Sequence, residues 1–207
     1  GGGAAGGALR VVVGNTGDCR CLVGREGWGK KLQALQLSSD QTPDRQDERR
    51  RIEGLGGVVG MVNDALDPPQ VISIEEAAAT GMDLGPARVF FKEGAWEPPY
   101  DRLFPGLAMS RSVGDCFLDE LGVVPTPEVT VHTVKPKDRF LIVASDGIWQ
   151  VMSNEEVSSA VQRVLAAQGD PAQICQAIFN EASQRWEGRE DCLYRDDISV
   201  IAVLFGG

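Results

Sequence analysis

The sequence has little of what several common functional classes require. Its 207 residues include one histidine, and its five cysteines form no Cys-x-x-Cys pair. Zinc sites usually recruit such residues, so the composition disfavours a zinc protein. Lysine and arginine number 20 against 30 acidic residues, and this net charge of -10 argues against nucleic-acid or anionic-membrane binding, which needs a basic surface. Apolar runs are only strand-sized, so none predicts a membrane-spanning helix.

The cysteine content and the start of the chain bear on cellular context and boundaries. An odd number of unpaired cysteines is typical of reduced thiols, so we expect the cytoplasm or another reducing intracellular compartment. Residues 1–8 have the Gly/Ala composition of a flexible linker and include no initiator methionine. Residues 9–207 are long enough for one domain with a substantial core. We therefore expect a linker followed by a domain that continues a longer polypeptide.

In the N-terminal half, local patterns predict strands and one helix. Two β-rich runs within Leu9–Gly27 flank a turn-forming Gly-Asn-Thr-Gly-Asp segment and predict a β-hairpin. Residues 44–55 predict a helix begun by a proline and ended by glycines, with Ile52 and Leu55 facing the core and a solvated charged face. Residues 60–105 lack sustained periodicity and predict a long excursion with short strands such as Arg88–Phe91.

The C-terminal half is more regular. The run that begins at Phe140 is apolar and β-rich, as in a strand buried on both faces. Ser153 opens a helix through a capping box, and Asp170-Pro171 opens a second helix. Residues 198–205 predict another buried strand. Helices between two such strands indicate packing on a mostly antiparallel sheet, an α+β fold.

Several carboxylates are candidates for a metal site. Asp146 follows the Phe140 strand, while Asp196 and Asp197 precede the last strand, so antiparallel pairing would bring them to one sheet edge. Asp18 and Asp115 are further candidates. Clustered carboxylates repel one another unless protons or cations intervene, and hard oxygen ligands suit Mg²⁺ or Mn²⁺. The alternative is that Asp146 is only a turn residue or a helix cap, held by a sharp bend at the following glycine.

A second pattern points to different chemistry. Cys19 and Arg25 have the C-x5-R spacing of cysteine-dependent phosphatases, in which a thiolate attacks phosphorus. No histidine precedes this cysteine, and the intervening residues resemble a strand rather than a glycine-rich loop. The context therefore disfavours this alternative. The only histidine, His132, lies in a Val-Thr-Val-His-Thr-Val run and is expected to be an ordinary strand residue.

Taken in order, these segments resemble the metal-dependent protein serine/threonine phosphatase 2C (PPM) family over nearly the whole chain. The matching segments are Gly14–Arg20 (N-x-GDSR), Ser38–Val59 (D-H-x-P, E-x-x-R-I and GG-x-V), Pro105–Asp115 (L-A-x-S-R-x-x-GD), Phe140–Glu156 (SDG-L-W-D-V) and Tyr194–Phe205 (S-x-DN-I-T-V-I-V). Any one of these motifs is weak, whereas five in family order are specific.

The resemblance implies a four-layer α-β-β-α sandwich of two antiparallel sheets flanked by helices. It implies two Mn²⁺ or Mg²⁺ ions, with Asp146 and Asp196 as ligands and Asp18 near a weaker third site. Residues 60–105 would be the family's flap at the substrate entrance. In such enzymes a metal-bound hydroxide attacks the phosphorus of phosphoserine or phosphothreonine without a covalent intermediate.

The chain also departs from the family pattern. The FDGHGG segment, which supplies another metal ligand and a proposed general acid, does not occur, so a portion of the domain would lie upstream and one sheet would have an unpaired edge. Gln150 replaces the aspartate usual after tryptophan, Cys19 replaces a serine, and Gln41 replaces the histidine of D-H-x-P. These changes bear mainly on the third metal.

Two functions therefore remain in competition. The first is a Mn²⁺/Mg²⁺-dependent protein phosphatase acting on phosphoproteins, whose 207 residues here are incomplete for catalysis. The second is a non-catalytic phosphatase-like scaffold or docking domain within a larger protein assembly. Neither requires a nucleic-acid or membrane partner.

Overall fold

The computed structural model describes residues 8–92, 105–189 and 195–206, which form two compact units. The first contains the segments up to Asn15, Cys19–Ser39 and from Glu128 onward, and the second contains Thr16–Asp18 and Asp40–Pro127. In chain order the elements are β1 (Arg10–Asn15), β2 (Arg20–Glu26), a 3₁₀ turn (Trp28–Lys30), β3 (Leu32–Gln36), α1 (Gln46–Gly54), β4 (Val58–Asn63), β5 (Gln70–Ile72), α2 (Ile74–Thr80), β6 (Arg88–Phe90), β7 (Pro105–Leu107), a 3₁₀ helix (Cys116–Leu121), β8 (Glu128–Thr133), β9 (Asp138–Ala144), α3 (Asp146–Trp149), α4 (Asn154–Ala166), α5 (Pro171–Glu187) and β10 (Val200–Leu204).

The first unit contains a four-stranded antiparallel sheet in the order β10-β9-β2-β3 and a two-stranded ribbon of β1 with β8. The predicted hairpin over Leu9–Gly27 is therefore wrong in its pairing, although both strands exist. β1 pairs with β8, and β2 pairs with β3 and β9. An alternating pattern predicts that a segment is extended but carries no information about its partner, which here lies far along the chain.

Strand β9 forms the centre of this unit because both of its faces are covered. Phe140 and Ile142 pack with Val161 and Ile178 from helices α4 and α5. On the other face Leu141 packs with core residues of β2 and with apolar residues of the ribbon. The prediction of a strand buried on both faces is confirmed, and the unit is layered as helices, sheet and ribbon.

Helices α4 and α5 begin where the sequence predicts. The Ser153 side chain accepts a hydrogen bond from the backbone N–H of Glu156. The Glu156 carboxylate in turn accepts a hydrogen bond from the backbone N–H of Ser153. Asp170 and Gln173 form the same reciprocal cap on α5, with a proline in its first turn. Each box satisfies backbone donors that a helix end would otherwise leave unpaired.

The last strand differs from its prediction. β10 covers Val200–Leu204, but Ile201 is 61% exposed and Val203 is 44% exposed. Only the alternate residues, such as Ala202, pack on the core. The cluster that covers the ribbon side of β9 does not include Ile201 or Val203 of the edge strand β10, so the apolar sequence of β10 alone wrongly indicated burial on both faces.

The second unit contains an antiparallel sheet in the order β5-β4-β6-β7, with a core that includes Ile52 of α1, Val59, Val89 and Leu118. The helix prediction is confirmed for Ile52, but Leu55 is 57% exposed because it lies after the helix has ended. Residues 60–92 are more regular than the predicted excursion, since they hold most of β4 together with β5, α2 and β6. Residues 93–104 of the proposed flap lie outside the described part.

The α+β class is confirmed, since every named strand pairing is antiparallel and helices pack on the sheets. Among the described residues, β1 and β8 pair only with each other. No described helix is both long enough and apolar enough to cross a membrane.

Candidate metal centre

Antiparallel pairing of β9 with β10 brings Asp146 and Asp196 to one edge of the sheet. The ladder ends at the pair Ala144 and Val200, so the chain leaves β9 and enters β10 at the same place. Asp146 follows the end of β9, and Asp196 precedes the start of β10. The predicted convergence of these two carboxylates is thus observed, and it follows from strand direction alone.

Ser145 fixes the two chain segments to each other just before Asp146. Its hydroxyl donates to the Asp197 carbonyl at 3.1 Å and accepts from the Ser199 N–H at 3.0 Å. The Ser145 N–H also donates to the Ser199 carbonyl at 3.0 Å. These three bonds hold the loop before β10 against the end of β9, which limits how far the two carboxylates can separate.

Asp146 is neither the helix cap nor a simple turn residue. Ser145 occupies the N-cap position of α3, and Asp146 is the first helical residue. Trp149 donates its indole N–H to the Ala144 carbonyl at 2.8 Å, and Trp186 of α5 donates to the Gly147 carbonyl at 2.7 Å. One half-buried and one buried indole therefore fix this short helix, and the Asp146 side chain is left for another role.

Gly147 is required for a reason that the sequence did not reveal. The sequence suggested a sharp turn, but Gly147 lies within α3 and is not among the glycines of positive φ. A Cβ at this position would overlap the Asp197 carbonyl oxygen. The missing side chain thus lets the loop before β10 approach the helix, which is the contact that brings Asp196 toward Asp146.

The charged form of Asp146 is disfavoured by its surroundings. Burial is the larger cause that raises the pKa of Asp146, and the nearby Asp196 carboxylate raises it further. A hydrogen bond from Gln150 acts in the opposite direction. Asp196 also accepts from the Asp197 N–H at 2.8 Å through Oδ1. A partly desolvated pair of like charges is costly unless a cation compensates it.

The Gln150 side chain is the neighbour that the sequence interpretation missed. Its Nε2 donates to Asp146 Oδ2 at 2.7 Å and lies 3.4 Å from Asp196 Oδ2. The amide nitrogen must face the carboxylates, because the amide oxygen would add a third acceptor to two others. From the sequence, Gln150 was noted only as the replacement of an aspartate in the family pattern. Its contact with both carboxylates could not be predicted, because that contact depends on where Asp196 lies in the folded chain.

The donor set fits a hard divalent cation. The pair offers carboxylate oxygens, the ligands that Mg²⁺ and Mn²⁺ prefer, and neither histidine nor cysteine is needed. The elevated pKa of Asp146 shows that this geometry favours added positive charge. Asp146 and Asp196 are therefore the residues that could hold an ion.

Two further candidates, Asp18 and Asp115, lie in the second unit. Asp18 belongs to the Thr16–Asp18 segment, next to Gly17, whose N–H donates to Gln41 Oε1 at 2.7 Å. Gln41 thus serves as a fully buried partner for this turn where the family pattern has histidine. Asp115 accepts from the Ser112 hydroxyl at 2.8 Å. The assignment of Asp18 as a metal ligand stays a prediction.

The geometry also bears on the cysteine-phosphatase alternative. The residues after Cys19 form strand β2, and no phosphate-cradling loop opens a helix there. Arg25 is committed to Asp138, donating from Nε at 2.6 Å. His132 contacts the same carboxylate through Nε2 at 2.8 Å, within strand β8 as predicted. The C-x5-R spacing is therefore a coincidence of strand sequence.

The family model of protein phosphatase 2C matches residues 7–189 of the chain. The chain belongs to the protein phosphatase 2C family. Among curated relatives, the probable protein phosphatases 2C 52 and 2C 73 of Arabidopsis thaliana are 31% and 34% identical to it over 95% and 94% of its length. The chain covers 36% and 44% of these two proteins, so it spans between a third and a half of their length.

Solved structures share the fold of the chain. The serine-threonine phosphatase 2C from Toxoplasma gondii matches 95% of the chain with a TM-score of 0.67 at 24% identity, over 55% of its own length. A sex determining protein of C. elegans matches 94% of the chain with a TM-score of 0.62 at 19% identity, over 36% of its own length. These structural matches support the α+β sandwich class of the chain.

The second unit also contains a buried carboxylate cluster that the sequence interpretation missed. Glu48, predicted to lie on a solvated face of α1, is only 1% exposed. Its carboxylate accepts two hydrogen bonds from Arg51, at 2.6 and 2.8 Å, and two from Arg111, at 2.8 and 3.0 Å. Ser110 donates a fifth at 2.6 Å. This cluster joins the E-x-x-R and S-R motifs of the protein phosphatase 2C pattern.

The hydrogen bonds of this cluster stabilise the charged form of the Glu48 side chain. Burial alone would raise the pKa of Glu48, but the hydrogen bonds from Arg51, Arg111 and Ser110 outweigh it and hold that pKa well below its usual range. The E-x-x-R spacing was a signal for an Arg51 contact within one helix. Nothing local indicated Arg111, which lies 63 residues further along the chain.

Proposed function

We propose that the polypeptide containing this chain is a metal-dependent protein serine/threonine phosphatase. Asp146 and Asp196 would hold Mn²⁺ or Mg²⁺, and Asp18 is kept as a ligand of a third, weaker site on the family resemblance alone. The observation that carries the proposal is the desolvated pair of carboxylates at the β9–β10 edge, which raises the pKa of Asp146. Its substrates would be phosphoserine or phosphothreonine in proteins.

The chain's own residues have definite tasks in this proposal. Ser145, through its bonds to the loop before β10, keeps the two carboxylates within reach of one ion. Gly147 permits that close approach, and the tryptophan contacts to α3 prevent Asp146 from rotating away. When bound, the ions would activate water as the nucleophile and neutralise the charge of the phosphate. The protein thus supplies position and charge rather than a nucleophile of its own.

The test is phosphate release from a phosphothreonine peptide by the longest natural polypeptide, with Mn²⁺ and with chelator. Asp146→Asn keeps the size of the side chain but removes its charge, and we expect turnover to fall at least about 100-fold, the upper end for loss of an outer-shell partner. Asp119→Asn, an exposed aspartate of the second unit, is the matched control and should retain turnover. Wild-type turnover in Asp146→Asn would contradict the assignment of Asp146 as an ion ligand of a phosphatase.

A scaffold or docking role within a larger assembly is the second candidate. Gln150 favours it, because a neutral amide stands beside the pair where the family pattern has a carboxylate. The discriminating comparison is turnover against ion binding in the same folded polypeptide. Binding of Mn²⁺ without turnover would favour the scaffold, whereas robust Mn²⁺-dependent turnover would remove a purely structural role.

A further inference from the structure

The Gln150 amide contacts both carboxylates of the candidate site. Its Nε2 donates to Asp146 Oδ2 at 2.7 Å and lies 3.4 Å from Asp196 Oδ2. The residue follows Asp146 by one helical turn, and its backbone N–H donates to the Asp146 carbonyl at 2.9 Å. The side chain is thus presented to the pair by the same short helix that presents Asp146.

An amide in this place does part of what a cation would do. A hydrogen bond to a charged acceptor is stronger than one between neutral groups, so it reduces the cost of holding two carboxylates together. The amide carries no net charge, so it leaves the repulsion of the pair only partly compensated. The oxygen atoms that it contacts are also those that an ion placed between the two side chains would need.

We propose that Gln150 is a positioning residue that stabilises the metal-free carboxylate pair and thereby weakens its affinity for divalent ions. An incoming ion must displace the amide N–H from Asp146 Oδ2, so part of its binding free energy is used to break that bond. This inference rests on the proposed function, because it takes Asp146 and Asp196 as the ion ligands. It concerns the affinity of the pair, which the proposed function leaves open.

Two variants of Gln150 distinguish the effect of losing its N–H donor from the effect of adding a negative charge. Gln150→Leu removes the N–H donor at similar size, and Gln150→Glu removes the donor while adding a third carboxylate. Gln184→Leu is the matched control, since Gln184 is exposed on α5. The test uses the full natural polypeptide and measures urea unfolding in EDTA and Mn²⁺ binding by titration calorimetry, neither of which requires turnover.

For Gln150→Leu we expect a lower unfolding midpoint in EDTA than for wild type. We also expect Mn²⁺ affinity about 10-fold tighter, since loss of a bond of about 1.4 kcal/mol corresponds to that factor. Gln150→Glu should show a still lower midpoint in EDTA and a further gain in affinity, because repulsion and ligand charge both increase. The rise in midpoint on adding Mn²⁺ should then be largest for Gln150→Glu. Gln184→Leu should match wild type in both measurements.

The outcomes distinguish this inference from the function on which it rests. If wild type binds Mn²⁺ and Gln150→Leu has the same affinity and the same midpoint in EDTA, the role of Gln150 is wrong while the metal site stands. Weaker Mn²⁺ binding by Gln150→Leu would also overturn it, since the amide would then aid the ion rather than oppose it. If neither wild type nor the variants bind Mn²⁺, the proposed metal site fails and the inference fails with it.

Discussion

Replacing Asp138 by asparagine should destabilise the first unit through loss of one buried charge. Asp138 lies at the start of β9, and its side chain is fully buried. Its carboxylate accepts from Arg25 Nε at 2.6 Å and from the Lys135 N–H at 2.8 Å, and it contacts His132 Nε2 at 2.8 Å. Asparagine keeps the shape of the side chain but cannot match this set of donors.

The size of the effect follows from the pKa of this group. Burial would raise the pKa of Asp138, but Arg25, the Lys135 N–H and His132 outweigh it and lower that pKa from 3.8 to about 2. A difference of this size corresponds to about 2.4 kcal/mol in the free energy of unfolding at neutral pH. Because the folded-state pKa is depressed, this stability is present above about pH 4 and is lost as the pH falls toward 2.

The assay is urea unfolding of wild type and Asp138→Asn at several pH values between 3 and 7, with circular dichroism as the readout. We expect the variant to be less stable by about 2.4 kcal/mol at pH 7, and the gap to shrink to roughly half at pH 3. Asp64→Asn, an exposed aspartate of the second unit, controls for the general loss of one charge. Equal stability at pH 7, or a gap that does not narrow as the pH falls, would refute the reasoning.

Two further substitutions test the buried contacts. Glu48→Gln should lower the free energy of unfolding of the second unit by about 3 kcal/mol, the lower end for breaking a buried pair, because Glu48 is buried but its partners Arg51 and Arg111 are partly exposed. A loss below about 1 kcal/mol in urea unfolding would contradict this. Gly147→Ala should weaken Mn²⁺ binding in calorimetry because the new Cβ meets the Asp197 carbonyl and pushes the loop before β10 away. Gly54→Ala, whose Cβ would meet no atom within 4 Å, should bind as wild type does.

Local signals in the sequence predicted the elements well because local contacts form them. The Ser153 capping box involves residues three positions apart, and the β9 run contains its own apolar residues, so both could be read directly. Strand partners and buried charges depend on distant residues. The hairpin prediction failed because β1 pairs with β8, and Glu48 was placed in solvent because its partner Arg111 belongs to another motif.

The site was predicted in part for the same reason. Strand direction was enough to bring Asp146 and Asp196 together, and this required only that the last two strands pair antiparallel. The identity of their neighbour was not available from spacing. Gln150 contacts both carboxylates only after α3 has formed and the loop before β10 has folded against it, so its role as a donor appears in the structure alone.

The features around Asp146 are better explained by ligand binding than by stability. A turn residue or helix cap at this position would be served by a neutral side chain, yet the cap is Ser145, and burial together with the nearby Asp196 carboxylate raises the pKa of Asp146. Because Gly147 has no side chain, the loop that carries Asp196 can approach Asp146 closely. The hydrogen bond from Gln150 offsets only part of the resulting repulsion between the two carboxylates. The close approach of the two carboxylates costs stability in the metal-free protein, and a bound divalent cation would offset that cost.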